Sequence, residues 1–129
     1  MGIFNSLFGR KEEKQREERQ VPWIPLVSLE QLDEIAEKSK TRTQLIFKHS
    51  TTCGISRMVL NMFTSAYTLG EDVDVYFLDL HAHRDISNAV AAKFQVMHQS
   101  PQLLIIKNGE TSFHTSHGAI TDTNIEEYV

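Results

Sequence analysis

The chain has 129 residues, of which 40% are hydrophobic, 23% charged and 9% aromatic, a size and mixture that suit one globular domain and leave no room for two. Net charge is −4 with His neutral and no basic patch stands out, which argues against DNA, RNA and other polyanions as partners. A single cysteine excludes an intrachain disulfide, a Cys-rich zinc site and a self-contained dithiol redox couple, leaving one reactive thiol or one inert core residue.

No run of about 18 apolar residues is present, so no membrane span is expected. The segment Met1–Gly9 has neither a basic leader nor a small-residue cleavage site, and the expectation is a soluble cytoplasmic protein in a compartment that keeps thiols reduced. Residues 1–20 read as a charged N-terminal arm, flexible or helical, and 21–129 as the folded domain. Arg10 to Gln20 is charged or Gln throughout and has no apolar face, the pattern of a solvated helix or tail. Before it, Ile3, Phe4, Leu7 and Phe8 have the helical spacing of a short apolar stripe, suited to a partner groove or a membrane surface, beside the plainer reading of a frayed terminus. Met1-Gly2 followed by Ser6 also matches the short, permissive myristoylation pattern.

Val21 to Val27, interrupted by Pro22 and Pro25, fits an edge strand or an extended lead-in, because proline cannot donate to a sheet ladder. Ser28 with Gln31 reads as a capping box opening a helix through Leu29, Leu32, Ile35 and Ala36 to Ser39. Gln44 to His49 is a buried strand. Ile55, Val59, Met62, Phe63 and Ala66 then define one face of a helix ending at Gly70, with the Met58, Met62 and Phe63 stripe read as core. Val73 to Leu80 is a third strand, and Ile86, Ala89, Val90 and Phe94 mark the next helix. Pro101 opens the apolar run Leu103 to Ile106, and Asn108-Gly109 is a two-residue hairpin signal leading into Thr111 to Ser116. A final helix is expected from about Thr121–Thr123, with Glu126 completing a capping box and Ile125, Tyr128 and Val129 on its apolar side. The order β-α-β-α-β-α-β-β-α implies an α/β fold, a mixed central sheet with helices on both faces.

Cys53 lies between the QLIFKH strand and the helix that follows, flanked by Ser, Thr and Gly and outside the helix's apolar face. A thiol at a helix N-terminus faces unpaired N–H groups and the positive end of the dipole, which favours the thiolate. Stabilising a thiolate weakens its attack and improves it as a leaving group, so the position suits a carrier of a transferable thiol group more than a strong oxidant. Ser56 stands one turn later, where a resolving cysteine would be; its hydroxyl can hydrogen-bond a thiolate but cannot displace a disulfide. Resolution of a Cys53 adduct then needs a second molecule.

The combination of strand, Cys-x-x-Ser helix, a later Ser100-Pro101 strand start and an Asn-Gly hairpin resembles the thioredoxin fold. That likeness implies a cis Ser100–Pro101 bond facing Cys53. Within it, Thr52-Cys-Gly-Ile-Ser56 and His98-Gln-Ser-Pro-Gln102 resemble the YtxJ-like monothiol bacilliredoxins over Val21 to Val129, with Gly54 where that family commonly has proline. The resemblance implies a thiol-disulfide oxidoreductase that removes bacillithiol from S-bacillithiolated proteins and is reset by an external thiol or dithiol. In it Cys53 and Ser56 hold the catalytic positions, and Thr52, Gly54, Ser100, Pro101, His98, Lys48 and Gly118 surround the bacillithiol. His98 foremost, then His49, is expected to support the thiolate or meet the malyl carboxylates, with Lys48 and Arg57 as counter-charges.

Cys53-Gly-Ile-Ser56, preceded by Lys48, is also similar to the Cys-Gly-Phe-Ser motif of monothiol glutaredoxins, which implies an iron–sulfur cluster carrier as the alternative. A thioredoxin-like adaptor docked through its arm is a third reading. His81-Ala-His83 lacks a third ligand at motif spacing and reads as solvated polar residues, so no protein-bound metal is expected. Trp23 reads as an aromatic packed at the sheet edge.

Overall fold

The computed structural model describes residues 21–129. The arm, the Ile3/Phe4/Leu7/Phe8 stripe and the Met1-Gly2…Ser6 pattern lie outside the described residues. Five strands form one sheet: β1 (Trp23–Pro25), β2 (Gln44–His49), β3 (Asp74–Asp79), β4 (Gln102–Lys107) and β5 (Glu110–Ser116), in the order β1-β3-β2-β4-β5. β1, β3 and β2 are parallel, and β4 and β5 are antiparallel additions. The helices are α1 (Glu30–Lys38), α2 (Gly54–Ala66), α3 (Arg84–Phe94) and the short α4 (Ala119–Asp122), followed by a 3₁₀ turn at Ile125–Glu127.

The central strands are apolar on both faces because helices cover both, as a parallel βαβ core requires. In β2 every residue is buried, and the strand's alternation sends Ile46 to one side and Leu45 and Phe47 to the other. Ile46, Tyr76, Leu78, Leu104 and Ile106 pack with Leu32 and Ile35 of α1 and Ile86, Val90 and Phe94 of α3. Leu45, Phe47, Val75, Leu103 and Ile105 pack with Val59 and Phe63 of α2 and with Ile120. The expected mixed sheet with helices on both faces is what forms.

β1 is an edge strand, and Pro25 sits in it without interrupting a ladder. Trp23 packs among Phe47, Phe63 and Phe77, with ring centroids 5.5–5.8 Å away. Asn108 and Gly109 have φ of 53° and 81°, the two positive values that a tight hairpin of this twist demands.

Three local expectations need correction. Only half of the Ser28–Gln31 capping box forms: Gln31 Oε1 accepts the N–H groups of Val27 and Ser28 at 2.7 and 3.0 Å, while Ser28 Oγ turns to that same oxygen instead of a helix N–H. Helix α2 stops at Ala66 and not at Gly70, since Tyr67 is already extended. The last helix begins earlier than its capping pattern suggests and is broken: Thr123 is extended between α4 and the 3₁₀ turn, so Ile125, Tyr128 and Val129 do not share a continuous helical face.

Candidate functional site

β2 ends on one side of its neighbour β4 with Lys48 opposite Gln102, so the segments just after Lys48 and just before Gln102 share one end of the sheet. That register brings the Ser50–Cys53 loop and the Ser100–Pro101 bond, which is cis, to the same end. Cys53 is the N-cap residue of α2, with φ −106° and ψ 120°, and its side chain is half-buried. Its N–H donates to the Ser50 carbonyl at 3.3 Å and its carbonyl accepts from Arg57 N–H at 3.1 Å, a tight turn that hands the chain from strand to helix. Among the described residues no hydrogen bond engages the sulfur.

Ser56 is fully buried. Its Oγ accepts the Ser50 N–H at 3.0 Å and meets His49 Nδ1 at 2.9 Å. The hydroxyl in the resolving position therefore braces the loop from inside instead of bonding the thiol. His49, on the same face of β2 as Phe47, is the imidazole nearest this brace. Burial pushes its pKa down, opposed by the Asp79 carboxylate and reinforced by Arg57 and His81. An outer brace mirrors the inner one: His81 Nε2 lies 2.8 Å from Ser50 Oγ and 3.0 Å from Thr52 Oγ1, while its backbone N–H donates to Asp79 Oδ1. His81 is thus a loop anchor, a role its sequence setting as a solvated strand end did not signal.

Lys48 and His98 pair with each other. Strand alternation turns Lys48 to the α3 side, away from α2, where its buried Nζ donates to the Ser87 carbonyl at 3.0 Å and lies 3.2 Å from His98 Nδ1. Ser87 Oγ is 3.3 Å from the same His98 nitrogen. Burial lowers the Lys48 pKa from 10.5 to about 8, and burial, then Lys48 and Arg84, lower that of His98. The pair joins β2, α3 and the loop before Pro101. Arg57, exposed in the first turn of α2, reaches the Thr51 carbonyl at 3.4 Å.

Gln102 organises the loop before Pro101, with its Oε1 accepting Gln99 N–H and its amide donating to the Met97 carbonyl. His117, at φ 57°, donates its N–H to the Pro101 carbonyl at 2.9 Å and places Nε2 2.9 Å from Gln99 Oε1. This clamp sets Gly118, the residue that opens α4, next to the Pro101 loop. Sequence reading missed His117, which has no spacing signature; Gln99 and Gln102 entered it only as members of the His98–Gln102 motif, with no role assigned to them. Ser100 Oγ is buried without a hydrogen-bond partner. Gly54, the first residue of α2, and Gly118, the N-cap of α4, are exposed, and a Cβ at either would meet nothing within 4 Å.

The apolar stripe on α2 divides. Phe63 and Val59 are core, but Ile55 is 59% exposed, Met58 54% and Met62 48%, so the stripe expected to be buried is in part a surface ridge beginning two residues after Cys53. Met97, ahead of Ser100–Pro101, is 81% exposed. Among the described residues no helix is long and apolar enough to cross a membrane, and no three His, Cys, Asp or Glu side chains gather as a metal site would require.

A mixed sheet flanked by helices, a cysteine capping the helix after the second strand and a cis-proline at the start of the fourth define a thioredoxin-like fold. A solved structure described as a candidate oxidoreductase with a thioredoxin fold matches at 31% identity and a TM-score of 0.70, over 82% of this chain and 92% of that one. Thioredoxin O2 from Arabidopsis thaliana (19% identity, TM-score 0.65, 83% and 95% covered) and thioredoxin from Schistosoma mansoni (20%, 0.64, 83% and 95%) share the fold. The family model "Monothiol bacilliredoxin BrxC" matches residues 24–125, and the chain belongs to that family.

Proposed function

We propose that the protein is a monothiol thiol-disulfide oxidoreductase that removes bacillithiol from S-bacillithiolated proteins. The Cys53 thiolate attacks the bacillithiol sulfur of the mixed disulfide, a new S–S bond forms and the target leaves as its thiolate. An external thiol then attacks Cys53–S–S–bacillithiol, releases Cys53 and carries the adduct away. The observation that carries this reading is the half-exposed sulfur at the N-cap of α2 with the next-turn hydroxyl of Ser56 turned inward and committed to Ser50 and His49. One thiol with no internal resolver makes a transferable adduct the natural intermediate.

The exposed Ile55 and Met58 beside the sulfur, and Met97 ahead of Pro101, offer apolar contact to a protein target. The cluster-carrier alternative rests on the Cys53-Gly-Ile-Ser56 motif, with Lys48 as a minor addition whose ammonium is engaged by the Ser87 carbonyl of α3. Cytoplasmic operation, where thiol reductants are available, fits the chemistry proposed.

Mass spectrometry after treatment with oxidised bacillithiol tests the reading. One bacillithiol per chain is expected, absent in Cys53→Ser and removed by added thiol. An unmodified Cys53 overturns it.

A further inference from the structure

Away from Cys53, a groove of about 400 Å³ opens between the C-terminal end of α2 and the last residues of the chain. Phe63, Tyr67 and Leu69 form one wall, and Ile120, Ile125 and Glu126 the other. A hydrogen bond from Thr68 Oγ1 to Glu126 ties the two walls together. The groove has no part in the thiol chemistry, and its apolar lining asks for an occupant. We propose that the occupant is the chain's own segment Ile3–Phe8, with Ile3, Phe4, Leu7 and Phe8 as the inserted side chains.

Three observations carry this. First, the described chain enters at the groove's own core: Val21 is buried in the cluster that contains Phe63 and Ile120 and against which Tyr67, Leu69 and Ile125 pack. Second, the stripe is within reach. The intervening residues 9–20 extend to about 40 Å, against a radius of gyration of about 13 Å for a body of this size. A tether of that length gives an effective concentration of about millimolar, so a weak apolar contact is well populated. Third, the charges match. After Gly9 the stripe is followed by Arg10 and Lys11, ahead of Glu12 and Glu13, whereas Glu126 is the groove's charged lining residue, with Glu127 next in sequence and no Lys or Arg among the lining residues. The spacing 3, 4, 7, 8 puts four apolar groups on one helical face, the form in which a short helix fills a groove.

The test uses the full chain with a nitroxide on Asn5→Cys in a Cys53→Ser background, where the label site is unique. Expected is loss of amide NMR intensity concentrated at groove residues such as Ala66, Leu69, Thr121 and Asn124, undiminished by dilution with unlabelled chain. Adding Phe4→Asp and Phe8→Asp should restore that intensity and shift the same amides. The proposal is overturned if the groove amides keep full intensity. It is equally overturned if the loss passes to a ¹⁵N-labelled, spin-free partner in a mixed sample, which means a second copy fills the groove. A third overturning result is loss seen only after lipid vesicles are added, which assigns the stripe to a membrane surface.

Discussion

At Gly54 the backbone has no need of glycine. The residue is the first of α2, its φ is not positive, and Cys53 before it is extended at φ −106° and ψ 120°, the region that a residue preceding proline must occupy. Proline is favoured at a first helical position, where the N–H has no intrahelical partner. Gly54→Pro should therefore raise stability by about 0.4–1 kcal/mol through the unfolded chain, read as a higher urea midpoint; a lower midpoint would show that the turn uses the glycine's freedom. Ser56 behaves oppositely. Its hydroxyl is the partner of the buried Ser50 N–H, so Ser56→Ala should cost about 1–3 kcal/mol in urea unfolding. Because Ser56 does not bond the sulfur, the Ser56→Ala protein should still take up one bacillithiol at Cys53; loss of the adduct without loss of stability contradicts the bracing role.

Among the elements, the Lys48–Ser87–His98 cluster joins β2, α3 and the loop that leads to Pro101. It does so with an ammonium that burial holds at a pKa of about 8, below the ordinary 10.5. Below pH 8 both folded and unfolded chains carry the proton, and the folded state bears the cost of desolvating it. Between 8 and 10.5 the unfolded chain still binds the proton that the folded chain has released, so stability rises with pH across that window. Lys48→Met removes the buried charge. It should gain stability relative to the native chain near pH 7, with that advantage shrinking as pH climbs from 8 to 10.5. Thermal unfolding of both proteins across this range checks it; a pH-independent difference rules out the titration. Ser87 lies within α3, so its carbonyl retains a helical acceptor role when Lys48 is gone.

At the scale of the whole molecule, what could be read from the chain depended on how local each cause was. The largely apolar QLIFKH and QLLII runs, the Asn-Gly turn and the βαβ order are set by neighbours in sequence, and they led to the sheet that forms. The placement of Cys53 at a strand-to-helix junction was legible for the same reason. The α2 stripe was not, because Ile55, Met58 and Met62 keep helical spacing with Val59 and Phe63, and spacing does not say which apolar positions another layer covers. His49 and Lys48 are adjacent in sequence yet face opposite sides of the sheet, since strand side chains alternate; one braces the Cys53 loop and the other reaches α3. The sequence by itself determined the thiol count, the missing internal resolver and the order of elements, all properties of identity and short-range pattern. Only the tertiary structure decided which histidines brace the loop, where the lysine ammonium goes and which methionines meet water, because those follow from how elements turn and pack, with His81 and Lys48 finding partners 30 residues or more away in the chain.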